Sequence, residues 1–217
     1  MCGRFVRRAE VDQIVREFSV QTVSCDLKPS YNVAPTQDVA IIVDDAANDR
    51  GRQLLAVRWG LVPAGSPDLS VGNRLINARA ETLHVRPSFK DAFYHRRCLV
   101  IADAFIEWKK AGKDKMPMLI GLKEEPLFGF AGLYETWRAP DGRNIMTCTV
   151  ITTDANEIVR PIHDLICTSV STVPPEGALH HHQPTLKRSQ SRPNSHSNCI
   201  EVTWTPNPIT TRQDIAV

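Results

Sequence analysis

The spacing of apolar residues divides most of the chain into one short helix followed by a series of strands. Near the N-terminus, apolar residues recur at intervals of three and four, which predicts an amphipathic helix. These residues are Val11, Ile14, Val15 and Phe18. The apolar and β-branched stretches that follow predict strands. They cover residues 39–43, 54–59, 98–108, 118–122, 127–133 and 145–152.

These strands lie too close together for repeated strand–helix–strand crossovers. We therefore predict an α+β fold, a single domain built on a curved, mostly antiparallel, barrel-like sheet with a few short helices. Two pairs of capping residues predict where further helices begin. Ser88 with Asp91 predicts one start, and Asp154 with Glu157 predicts another.

The composition changes after Asp164. Residues 165–217 hold only 16 apolar residues among 53, together with 13 Ser or Thr and six of the 15 Pro residues. Such a composition is typical of a segment that buries little apolar surface. We therefore predict a domain over residues 2–164 and a divergent, weakly structured or aberrant segment over residues 165–217.

Charge and cysteine usage narrow the class of protein. The net charge is only +2, so a broad polyanion-binding face is not expected. Arg outnumbers Lys by 18 to 8, which suits phosphate binding but also fits a codon bias towards Arg. The six Cys residues form no Cys-x-x-Cys pair, and no apolar run is long enough to span a bilayer. We expect a cytoplasmic monomer with no cofactor, metal or membrane partner.

Cys2 is the residue with the most distinctive chemistry. Cells commonly remove a Met that precedes a small residue, which would make Cys2 the N-terminal residue. Its thiol and α-amine would then lie on adjacent carbons, and both can act as nucleophiles. The thiol could attack an amide with the amine as base, or the amine could form an imine with an aldehyde and the thiol close a thiazolidine ring. Alternatively, Cys2 is an ordinary second residue.

Other polar residues allow either a chemical or a structural role. Glu107 lies between Ile106 and Trp108, where it is either a buried acid or base or a solvent-facing strand residue. His163 is either a proton carrier or a structural residue.

The stretch over residues 73–81 is dense in polar side chains. Asn77 could position a nucleophile, and Arg74 and Arg79 could clamp a phosphate, unless this stretch is a solvated loop. Trp59 could stack on a base or belong to the core.

Eight short motifs occur in a fixed order along the chain. They are MCGRF at 1–5, YNVAPT at 31–36, WGLVP at 59–63, NARAET at 77–82, RCL at 97–99, FIEW at 105–108, AGLYE at 131–135, and TTDAN at 152–156 leading to IHD at 162–164. Together they resemble the SOS-response-associated peptidase (SRAP) family of abasic-site-processing proteins over about residues 2–164. The pattern is lost after Asp164, and our hypothesis is that the remaining segment is out-of-frame or otherwise altered coding sequence.

This resemblance implies a reaction. Such proteins bind single-stranded DNA and trap the aldehyde of an abasic site as a thiazolidine crosslink to the N-terminal Cys. By resemblance, Cys2 would supply amine and thiol, Asn77 would hold the amine and the sugar, Glu107 would act as acid and base, and His163 would help to open the sugar ring. The residues expected to contact DNA are Arg4, Pro35, Trp59, Arg74 and Arg79. Autoproteolytic removal of Met1 and a lyase-type activity are also implied.

Two other functions fit parts of the sequence. Met-Cys-Gly also begins many N-terminal-nucleophile glutamine amidotransferases, in which the thiol attacks glutamine. A non-catalytic module that binds single-stranded DNA would need only the basic and aromatic residues. Ammonia release would support the first function, and equal binding of intact and abasic strands without a covalent product would support the second.

Overall fold

The computed structural model describes residues 2–45, 50–122 and 127–170, together with the backbone of three two-residue strands further along the chain. The prediction of a weakly structured segment after Asp164 falls mostly outside the described residues. No helix in the described ranges has the length and apolar character needed to cross a membrane.

The described chain contains many strands and few helices. The strands are β1 Phe5–Arg7, β2 Thr22–Val23, β3 Ser30–Val33, β4 Asp38–Asp44, β5 Arg52–Trp59, β6 Asn77–Arg79, β7 Arg97–Ala102, β8 Ala104–Ala111, β9 Asp114–Leu122, β10 Phe128–Arg138, β11 Asn144–Asp154, β12 Leu165–Cys167, β13 Ser169–Val170, β14 Thr185–Leu186, β15 Val202–Thr203 and β16 Ile215–Ala216. The α-helices are α1 Val11–Phe18 and α2 Pro87–His95, and 3-10 turns cover Leu69–Arg74 and Ala80–Thr82.

Five of the strands close into a barrel. Antiparallel pairs join β5 to β4, β4 to β7, β7 to β10 and β10 to β11, and a parallel pairing of β11 with β5 completes the circle. A second sheet contains β9, β8, β1 and β3. Side chains from both sheets share one apolar core, in which Phe5 and Phe105 meet the barrel residues Trp59, Val100 and Phe130. The predicted barrel-like, mostly antiparallel α+β fold is confirmed.

The N-terminal helix forms as its apolar spacing predicts. Ile14 and Phe18 are buried on one face of α1, and Ser19 ends the helix in the left-handed conformation. The predicted cap of α2 is wrong. Ser88 lies inside this helix, which begins at Pro87 and has no side-chain cap. Proline suits the first helical position because its φ is already fixed near the helical value.

The helix predicted after Asp154 does not form. Asp154 ends β11, and its carboxylate binds Arg79 instead of capping a helix. A turn follows, held by a hydrogen bond of 3.0 Å from the Val159 backbone N–H to the Asn156 side chain. The turn therefore leads the chain back towards β11, since the next strand, β12, pairs with it.

The predicted strand over 98–108 is two strands, because Asp103 interrupts it. The buried Asp103 carboxylate accepts hydrogen bonds from the backbone N–H groups of Arg8 and Ala9. This contact directs β7 into the barrel and β8 into the second sheet, and it fixes the segment that follows β1.

The sheet continues past the predicted domain boundary at Asp164. Cys167 on β12 pairs with Thr152 on β11, and β13 pairs with β10. These two short strands therefore extend the barrel sheet, and they bring Cys167 to the end of β11.

Gly60→Ala is expected to lower the free energy of unfolding by about 2–3 kcal/mol. Gly60 has a φ of +125°, and an added Cβ would lie 2.6 Å from the carbonyl oxygen of Gly72. Denaturant unfolding measures the effect. Gly65→Ala is the matched control, because an added Cβ there meets nothing within 4 Å. Equal stability of the two variants would contradict the prediction.

Candidate active site

Cys2 lies inside the protein rather than at its surface. Only 4% of the residue is exposed, and it packs in the core shared by the two sheets. The segment that carries it runs beside β8, because the carbonyl oxygen of Arg4 accepts a hydrogen bond of 2.9 Å from the Ile106 N–H. The position of Cys2 is thus fixed by the strand pairing that follows it.

Asn77 contacts Cys2 directly. Its side-chain Nδ2 donates a hydrogen bond of 3.0 Å to the carbonyl oxygen of Cys2. The other end of the amide, Oδ1, is buried and has no hydrogen-bond partner among the described residues. A buried acceptor without a partner typically costs about 1–3 kcal/mol. Asn77 therefore holds Cys2 and keeps an acceptor available beside it.

The strand pairing of β11 explains why Asn77 and Cys167 both reach Cys2. Val150 of β11 pairs with Asn77 of β6, and Thr152 pairs with Cys167 of β12 on the opposite edge. Residues two apart on a strand share a face, and paired residues do so too. Asn77 and Cys167 thus project to the same side of the barrel wall, where Cys2 lies.

Cys167 forms a disulfide with Cys2. The two Cα atoms are 6.4 Å apart, and the partners are separated by 165 positions in the sequence. Sequence reasoning assigned Cys167 no role. No local pattern signals this pairing, since it depends on the register of β12 against β11.

Glu107 is buried rather than facing solvent, with 2% of the residue exposed. It lies on β8, which pairs antiparallel with β1 so that Phe105 is opposite Phe5. Continuing that antiparallel register by two residues places Gly3 opposite Glu107. Glu107 therefore lies beside Gly3, the residue that follows Cys2. The interpretation that Glu107 faces solvent is wrong.

His163 follows the turn after β11 and precedes β12. Its Nδ1 accepts a hydrogen bond of 3.0 Å from the Leu165 N–H. His163 is thus oriented by the same strand that carries Cys167.

The three Arg residues predicted to contact DNA differ in their hydrogen-bond partners and in their exposure. Arg4 donates to the Asn32 side chain at 2.9 Å, and Arg74 is exposed at the end of a 3-10 turn. Arg79 lies two residues after Asn77 on β6 and is paired with Glu81 at 3.0 Å and Asp154 at 2.9 Å. Its side chain remains 38% exposed, so part of the guanidinium reaches solvent.

Trp59 does not offer a stacking surface. The ring is fully buried, and its Nε1 donates a hydrogen bond of 2.9 Å to the Ile76 carbonyl oxygen. The centroids of the Trp59 and Phe5 rings are 5.1 Å apart. Stacking on a base would require removing it from the core, so the core interpretation is the one observed. Pro35 is half-buried in the turn after β3.

Two aromatic residues that were not singled out from the sequence are exposed. Tyr31 is 70% exposed beside Asn32, and Trp108 is 37% exposed next to Glu107. Both lie within the motifs quoted above, which was the available signal. Within the described ranges, no cluster of three or more His, Cys, Asp or Glu residues could hold a metal ion.

The fold and site define a class of β-barrel protein in which the second residue is a cysteine held inside the barrel wall by an asparagine. The family model described as SOS response associated peptidase (SRAP) matches residues 1–192. The chain therefore belongs to the SRAP family.

Similar proteins support this assignment. The abasic site processing protein YoqW of Bacillus subtilis is 46% identical over 167 residues, covering 76% of this chain and 73% of YoqW. The abasic site processing protein YedK of Escherichia coli is 28% identical over 218 residues, covering 95% and 91% of the two chains. A crystal structure of a protein from Bacteroides thetaiotaomicron has the same fold, with a TM-score of 0.70 at 24% identity over 78% of this chain and 77% of that one.

Proposed function

We propose that this protein captures abasic sites in single-stranded DNA as a covalent thiazolidine on Cys2. The observation that carries the proposal is the hydrogen bond from Asn77 to Cys2, which holds this residue beside a buried acceptor. The relatives named abasic site processing proteins supply the substrate class. A ring-opened abasic sugar exposes an aldehyde, and a 1,2-aminothiol is suited to trap one.

The reaction uses both functional groups of Cys2. After Met1 is removed, the α-amine adds to the aldehyde carbon and gives a carbinolamine, which loses water to form an imine. The thiol then adds to the imine carbon, a C–S bond forms, and the nitrogen takes up a proton. The net change is loss of one water molecule. The sulfur must be a thiol, so the bond to Cys167 has to be open before ring closure.

Two residues move protons in this scheme. Glu107 protonates the carbinolamine hydroxyl, which leaves as water, and it takes the proton released by the thiol. His163 donates a proton to the sugar ring oxygen as the ring opens, and the Leu165 N–H holds its ring in place. Both residues lie on segments that also position Cys2 or its partner Cys167.

Asn77→Ala is expected to slow crosslinking by about a hundredfold and to leave binding of undamaged single strands unchanged. The amide fixes the Cys2 carbonyl, and a misplacement of about 1 Å in a reacting group can cost that much. Single-turnover rates and fluorescence anisotropy measure the two quantities. Asn73→Ala, which removes an exposed amide from the same segment, is the matched control. A wild-type rate in Asn77→Ala would reject this role.

Arg79→Ala is expected to weaken DNA binding and to reduce the salt dependence of log K by about 0.7, the value for one phosphate contact on a single strand. Arg79 lies on the same strand as Asn77 and is partly exposed. Anisotropy titrations at several salt concentrations give this slope. Arg143→Ala removes an exposed Arg that pairs with Asp141 in its own turn, and it should leave the slope unchanged. Equal slopes in the two variants would contradict a phosphate contact at Arg79.

The proposed function is tested with three matched single strands. One carries an abasic site, one carries a tetrahydrofuran analogue that lacks the aldehyde, and one is undamaged. Under reducing conditions, a heat-stable shifted band on a denaturing gel is expected with the first strand alone. Equal retention of all three strands without a covalent band would support the non-catalytic binding module instead. Ammonia release from glutamine without crosslinking would support the amidotransferase.

A further inference from the structure

The disulfide between Cys2 and Cys167 removes the thiol that ring closure requires. We propose that reversible oxidation of this pair is a covalent modification that stops thiazolidine formation while leaving the α-amine reactive. This inference rests on the proposed function, because it concerns the thiol of the same site. In the oxidised protein, imine formation by the α-amine of Cys2 therefore remains possible, whereas ring closure by its thiol does not.

The backbone brings the two cysteines close enough together for a disulfide. The Cα separation of 6.4 Å lies within the range of protein disulfides. Cys167 is fixed by the pairing of β12 with β11, and Cys2 is fixed by Asn77 and by the contact of Arg4 with Ile106. Both cysteines are almost fully buried, at 4% and 3% exposure. The surrounding strands and Asn77 therefore hold the two cysteines next to each other.

The other described cysteines are free thiols in different surroundings. Cys98 and Cys148 are free thiols in the barrel core, and burial raises the pKa of each. Cys25 is also free, and burial raises its pKa as well. Cys25 packs against a different cluster, on the side of the barrel sheet that contacts α1, so it serves as a matched control.

The redox step balances with a simple oxidant. Joining the two thiols removes two protons and two electrons. Hydrogen peroxide accepts them and becomes two molecules of water, and diamide accepts them and becomes the corresponding hydrazine. A dithiol reverses the step by thiol–disulfide exchange. In the oxidised protein the amine can still form an imine with the abasic aldehyde, but no thiol is available to close the ring, so the imine hydrolyses.

The experiment compares reduced and diamide-treated full-length protein on abasic single-stranded DNA. Peptide mapping is expected to find the Cys2–Cys167 disulfide, with an intact mass lower by two hydrogens. The oxidised wild type should form no heat-stable crosslink, should still be trapped by cyanoborohydride, and should recover fully after dithiothreitol. Cys167→Ser should crosslink equally before and after diamide, and Cys25→Ser should behave as wild type.

Each contrary result rejects a defined step. Oxidised protein with the mapped disulfide that crosslinks at the reduced rate would overturn the proposal, as would mapping that finds no Cys2–Cys167 bond. Loss of crosslinking in diamide-treated Cys167→Ser would also overturn it, because the effect would not need Cys167. If reduced wild type and reduced Cys167→Ser both fail to crosslink, the proposed function is rejected, and peptide mapping still tests the bond itself.

Discussion

A chain with Ser in place of Cys2 is expected to form no heat-stable crosslink with abasic DNA, although its α-amine still forms an imine. The hydroxyl is a much weaker nucleophile than a thiolate, and the oxazolidine it would give opens readily in water. The substitution changes one atom in a buried position held by Asn77, so the barrel should be preserved. The expected result is complete loss of the stable product with the imine retained.

Two measurements on the same samples check this expectation. A denaturing gel after heating reports the thiazolidine, and the same gel after cyanoborohydride treatment reports the imine. Cys25→Ser is the control, because Cys25 is a free thiol outside the site. A heat-stable product from Cys2→Ser would place the crosslink on another residue, and the absence of both products would mean that the amine does not reach the aldehyde.

Closing the disulfide between Cys2 and Cys167 is expected to raise the free energy of unfolding by about 5 kcal/mol. The bond joins residues 165 positions apart, and constraint of the unfolded chain increases with the length of the closed loop. For a chain of this size the increase corresponds to a shift in the unfolding temperature of roughly 10 to 20 °C. The shift should be present in the oxidised protein and absent after reduction.

Thermal unfolding with and without dithiothreitol measures this effect. Cys167→Ser should show one unfolding temperature under both conditions, close to that of the reduced wild type. Cys25→Ser should show the same difference in unfolding temperature between the two conditions as the wild type. A wild-type shift that survives in Cys167→Ser would assign the stabilisation to another cause. The site thiol and the stability of the fold would thus be linked through a single covalent bond.

The barrel was predictable because its strands are marked by local patterns. The apolar runs that form β4, β5, β10 and β11 were found to within a few residues at their buried centres. Their ends were less accurate, since solvent-exposed residues such as those around Lys110 extend strands through backbone pairing alone. Helix α1 was found because its apolar spacing is regular.

Errors arose where a tertiary contact decided the outcome. Asp154 has the sequence environment of a helix cap, yet an Arg from another strand binds its carboxylate. For Trp59 the sequence left a stacking role and a core role open, and the barrel that closes around its ring decides for the core. Neither contact leaves a local trace in the sequence, because each partner comes from a distant part of the chain.

The candidate site could be predicted in part. Cys2 and Asn77 were named from their chemistry and from the family motifs, and their contact is observed. Cys167 could not be found in this way, because it lies in a segment whose composition predicted little structure. Only the register of β12 on β11 reveals it.

The hydrogen bond from the Leu165 backbone to His163 gives the start of the divergent segment a part in orienting the imidazole. A chain cut after Asp164 would keep every motif quoted from the sequence, but it would lose the Leu165 N–H that binds the His163 imidazole. The smallest unit that preserves the geometry of the site therefore ends beyond β12. Leu165, which lies in the segment with the least recognisable sequence, thus holds the ring of a candidate site residue.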